Sequence, residues 1–102
     1  MIRAYKIFFL TEYPDTTGHV VIVAKSKEEA IKIFKLSFAI KFYGNCKFMI
    51  QTLKTSPRGK EFIEEYYKIE LARIKKLGKE EKPNDCTFIQ QDEESPILYL
   101  YR

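Results

Sequence analysis

The tetrapeptide Ser26-Lys27-Glu28-Glu29 constrains the fold of this chain more than any other stretch. A serine followed three residues later by a glutamate is a capping box. The hydroxyl accepts from a backbone amide in the first turn of a helix, and the carboxylate reaches back toward the amides left unbonded at its start. In front of the box, residues 19–24 (HVVIVA) are a β-branched run short enough to be a buried strand. Behind it, Ala30, Ile31, Ile33, Phe34, Phe38 and Ala39 recur at helical spacing. Leu36 and Ile40 widen the apolar arc, and Lys32, Lys35 and Lys41 are left for water. Gly44 and Asn45 suit a left-handed C-terminal cap, which ends the predicted helix near Phe42 or Tyr43.

The strand and helix signals extend in both directions from this junction. Residues 2–10 (IRAYKIFFL) set Ala4, Lys6 and Phe8 against Tyr5, Ile7 and Phe9, the alternation of a strand with unequal faces. Residues 11–18 hold Pro14, Asp15 and Gly18 and read as a long hairpin loop. Residues 46–55 (CKFMIQTLKT) alternate Phe48, Ile50 and Thr52 with Met49, Gln51 and Leu53, as a central strand would. Ser56-Pro57 looks like a cap followed by proline at the first helical position. Phe62, Ile63, Tyr66, Ile69, Ile74 and Leu77 form the stripe of a second helix of about 20 residues, with Gly78 as its stop. After a charged connection at 79–85, residues 86–91 and 97–102 read as two strands joined by an acidic loop at 92–96. The predicted order is β-β-α-β-α-β-β. This is an α+β two-layer sandwich, a five-stranded antiparallel or mixed sheet covered by two helices, forming one compact domain over residues 1–102.

Charge is distributed unevenly along this framework. The net charge is +4, yet residues 30–60 contain no carboxylate, while Lys32, Lys35, Lys41, Lys47, Lys54, Arg58 and Lys60 all fall within them. Together with Tyr43 and Tyr67 these are the candidate partner-binding residues. Phe42, Tyr43 and Phe48 are the aromatic rings that would stack on bases if the partner were nucleic acid, although rings flanking a capped helix ordinarily belong to a core. Adjacent Tyr66 and Tyr67 diverge by about 100° on a helix, so one of them is expected to face outward. Ser56-Pro57-Arg58-Gly59-Lys60 adds a basic spot at a helix start, without the spacing of a phosphate-binding loop.

Catalytic and metal chemistry find little footing. His19 is the sole histidine, and Cys46 and Cys86 are forty positions apart with no C-x-x-C pair, so they read as two reduced, partly buried thiols. Glu61, Glu64 and Glu65 complement the dipole of the second helix. No cofactor is expected. No stretch has the length of a membrane span or the form of a secretory signal, which makes the cytoplasm the expected location. The resulting expectation is a small non-enzymatic binding protein, a regulator or inhibitor of a larger protein or nucleoprotein partner, of the kind phages and mobile elements encode. Nucleic-acid binding through the 30–60 block is the first alternative and a small metal-independent ribonuclease the second. Sheet edges would permit self-association.

Overall fold

The computed structural model of the chain describes residues 1–37, 42–80 and 86–91. They form β1 (Arg3–Tyr13), β2 (Thr16–Ala24), α1 (Lys27–Leu36), β3 (Tyr43–Thr52), α2 (Gly59–Glu80) and β4 (Cys86–Gln90). The sheet is mixed, with strand order β2-β1-β3-β4: β1 pairs antiparallel with β2 and β3, and β4 lies parallel to β3. The expected α+β architecture is present, and among the described residues it has four strands in the order β-β-α-β-α-β where five were expected in the order β-β-α-β-α-β-β. The predicted strand at 97–102 and the loop at 92–96 lie outside the described residues, as do Phe38, Ala39, Ile40 and Lys41. β4 is parallel because α2, a 22-residue helix, intervenes between β3 and β4. Such a crossover returns the chain to run in the same direction.

The capping box forms. Ser26 Oγ accepts from Glu29 N at 3.1 Å, and Glu29 Oε1 accepts from the amide of Lys25 at 3.0 Å, one residue ahead of the cap itself. The buried residues Ala30, Ile33 and Phe34 turn α1 onto the sheet, where it packs on β2, β1 and β3. Phe34 is the centre of this contact. Its ring lies 5.9 Å from Phe9, 5.3 Å from Phe48 and 5.9 Å from Phe88, centroid to centroid. Tyr5, Ile7, Ile22, Cys46 and Ile50 complete the core.

Several expected boundaries are corrected. α1 ends at Leu36, where the amide of Ser37 donates to the carbonyls of Ile33 and Phe34, well before Phe42. Gly44 is therefore not its cap but part of β3, with φ of 81°. Thr11 pairs with Cys46 and Tyr13 with Tyr43, so two steps along β1 match three along β3. The extra residue is a bulge, and glycine supplies the positive φ it needs. A Cβ at Gly44 would meet Glu12 Oε2 at 2.5 Å, the same oxygen that accepts from Asn45 N at 2.8 Å. The predicted eight-residue loop is instead a tight turn at Pro14-Asp15, closed by the buried Thr11 hydroxyl, which donates to Pro14 O at 2.6 Å. α2 begins at Gly59 rather than at Pro57, because Ser56 first closes a turn by accepting from Gly59 N. It runs past Gly78 to Glu80.

Replacing Phe34 by alanine is expected to lower unfolding stability by about 3–5 kcal/mol. Gly44→Ala should cost about 1–2 kcal/mol through the left-handed backbone alone. Urea denaturation followed by circular dichroism measures both, and the larger loss belongs to Phe34→Ala.

Candidate binding surfaces

Side-chain alternation and the strand register divide the sheet into two faces. Tyr5, Ile7 and Phe9 of β1 stand beside Ile22 of β2 and Ile50 and Phe48 of β3 on the face that carries α1. The opposite face takes Lys6, Phe8 and Leu10 from β1, His19 and Val21 from β2, Lys47 and Met49 from β3, and Ile89 from β4. Its cations and rings touch. Lys6 Nζ lies 4.9 Å over the Phe8 ring, and the His19 ring is tilted against Phe8 at 6.0 Å. Val21 is 54% exposed, and Ile89 is exposed as well. Glu12, at the hairpin end of this face, is held by the Asn45 amide. It lines a depression of about 620 Å³ with Tyr13, Asp15 and Lys47.

The basic residues singled out in the sequence do not share a surface. Lys32 and Lys35 are exposed on α1, with Lys35 Nζ 5.4 Å from the Phe88 ring centre. Lys47 is on the far side of the sheet from them. Lys54 and Lys60 border a third region, a depression of about 590 Å³ that also takes Arg3 and Glu64, and Arg58 is exposed in the turn before α2. Lys41 lies outside the described residues. Continuity in sequence became dispersal in space because the block spans a helix, a strand and a turn with different outward directions. Phe42 and Phe48 are buried and unavailable for stacking, whereas Tyr43 is exposed.

Tyr67 is the tyrosine turned inward. Its hydroxyl donates to Glu29, its ring faces Lys25 Nζ at 5.7 Å, and it thereby fastens α2 to the start of α1 and the end of β2. Ile63, Tyr67, Glu70 and Ile74, spaced as one helical face, are the less exposed positions of α2. Phe62, Tyr66 and Ile69 are left outward at 73%, 60% and 62% exposure. The single apolar stripe read from the sequence is thus two adjacent stripes. The Tyr66-Tyr67 pair was its one signal, since neighbouring residues cannot face the same core.

The imidazole and the two thiols stand on opposite faces of the sheet. Both thiols point toward the α1 face, as the pairings of Cys46 with Thr11 and of Cys86 with Gly44 require, so His19 on the other face serves neither. Burial, with a smaller contribution from Cys86, pushes the Cys46 thiol up to about 12, which keeps it protonated and poorly nucleophilic at neutral pH. Among the described residues no group of three or more His, Cys, Asp or Glu is placed to hold a metal ion, and no helix is long and apolar enough to cross a membrane. The residues sequence reasoning passed over are Lys6, Phe8 and Val21. Their alternation was visible, but which face they joined was decided by the pairing with β3. Comparison with protein-family models, with curated proteins and with solved structures finds no match.

Tyr67 is likewise raised to about 12, first by desolvation and then by the hydrogen bond to and charge of Glu29. In the unfolded chain these two groups ionise near 9.0 and 10.0. Between those values and 12 the unfolded state holds fewer protons, so stability is fully present below pH 9 and falls as the pH rises through 12. Urea midpoints measured from pH 8 to 11 should decline over that window, and Cys46→Ala and Tyr67→Phe should each flatten the decline.

Proposed function

We propose that this chain is a non-enzymatic binding protein, a regulator or inhibitor that occupies a surface of a larger protein through the sheet face turned away from α1. The observation that carries this reading is the make-up of that face: Phe8 and Met49 lie at its middle on β1 and β3, Lys6 and Lys47 stand on the same two inner strands, and the exposed Val21 and Ile89 stand beyond them on the outer strands β2 and β4. Apolar side chains interleaved with charge are common in contact surfaces, and strand residues present them from a rigid backbone.

A second reading, binding of single-stranded nucleic acid, is favoured by one feature of the same face. Lys6, Phe8, His19 and Lys47 combine rings with cations, and the carboxylates beside them, Glu12 and Asp15, lie at the hairpin end. The two readings separate in one experiment. Immobilised wild-type protein should retain a stoichiometric protein partner that Val21→Asp combined with Lys47→Glu no longer retains, while the thermal melt stays unchanged. Fluorescence anisotropy with mixed-sequence RNA and single-stranded DNA should remain flat. Binding that weakens with salt at a log–log slope of about −0.7 per neutralised phosphate would replace the first reading by the second.

A further inference from the structure

The outward stripe of α2 has no role in the fold or in the proposed contact face. Phe62, Tyr66 and Ile69 fall at i, i+4 and i+7, continue to Arg73 at i+11, and are among the most exposed large side chains of the described chain. Exposed apolar residues scattered singly need no partner, but three aligned on one helix face amount to a docking ridge.

The charges beside the ridge specify what fits it. The first part of α2, residues 59–67, holds Glu61, Glu64 and Glu65 against Lys60 alone. The remainder up to residue 76 holds Lys68, Arg73, Lys75 and Lys76 against Glu70 alone, and Glu70 is already paired with Arg73 at 2.5 Å. One end of the helix is acidic and the other basic. A second α2 laid antiparallel sets each acidic end on a basic one and opposes the two helix dipoles favourably. A parallel arrangement would put like charges together.

We propose that a second copy of this chain occupies the ridge, forming a two-fold symmetric dimer in which the two α2 helices pack antiparallel. In an isologous contact a residue on the axis meets itself, and centring the axis at Ile69 leaves nothing apolar unmatched. Phe62 and Tyr66 then lie over the aliphatic stems and cationic heads of the second copy's Arg73 and Lys76, and Glu65 faces the same cations. Rings beneath cations add attraction beyond their buried area. A contact of three or four side chains from each copy is small, so the association is weak, with Kd on the order of micromolar to tens of micromolar. The dimer leaves the face bearing Val21 and Lys47 to other partners and does not depend on what binds there.

Sedimentation velocity from about 1 µM to about 1 mM, at low salt, tests this. The wild type is expected to shift from the 12.1 kDa monomer toward twice that mass. Ile69→Asp should remain monomeric with unchanged circular dichroism. Glu61→Lys with Glu65→Lys, and separately Arg73→Glu with Lys76→Glu, should each raise Kd at least tenfold, and an equimolar mixture of the two variants should recover a heterodimer. To fix the axis, Ile69→Cys in a Cys86→Ser background should oxidise to a covalent dimer, whereas Leu71→Cys should not. A wild type monomeric throughout the range, a dimer indifferent to Ile69→Asp, or a mixture that fails to associate would each overturn the proposal. Should Ile69→Asp lose its fold, the paired charge variants and the cysteine cross-link decide the matter alone.

Discussion

One ring holds the two layers of this protein together. Phe34 projects from α1 onto Phe9 of β1, Phe48 of β3 and Phe88 of β4, so a single side chain joins the helix to three of the four strands. Phe88 in turn meets Phe42 edge-on at 5.8 Å, which ties the start of β3 to the last strand. Aromatic pairs at such separations gain something beyond their apolar area. The larger effect is that each ring must be in place for the next to pack. Among the described residues β4 pairs with β3, and Cys86 and Phe88 pack its side chains against the core.

A second centre, polar and at the periphery, controls α2. The Glu29 carboxylate completes the start of α1 by accepting from Lys25 N, and it also receives the Tyr67 hydroxyl. Lys25 closes the group with its ammonium over the Tyr67 ring. Three neighbouring features thus share one acidic side chain: the end of β2, the first turn of α1 and the middle of α2. Among the described residues α2 packs on β2 and α1, with Ile74 against the core, and its second apolar stripe stays in solvent.

Function follows from what the layers leave outside. α1 uses one face of the sheet, and the core absorbs Phe42, Phe48 and both thiols. Outward among the described residues are the sheet face that bears Val21, Lys6, Lys47 and Ile89 and the helix ridge with opposite charges at its ends. The lone imidazole rests against a phenyl ring on the side of the sheet away from the thiols.

The sequence by itself determined the local events. The Ser26–Glu29 box starts a helix wherever the chain is placed, because its bonds join residues three or four apart. The alternation of residues 4–9 and 48–52 assigned their side chains to opposite faces, since period two is intrinsic to a strand. It misjudged Gly44, whose positive φ suits a helix cap and a strand bulge equally, and only pairing with Thr11 and Tyr13 tells them apart. It read the apolar residues of α2 as one stripe, because periodicity does not record how much sheet is available to cover a helix. The scattering of the basic block, the placement of His19 opposite the cysteines and the inward turn of Tyr67 were all decided by tertiary structure. Each depends on which strand lies beside which, and strand order is set by packing between residues distant in the chain, to which local propensity is blind.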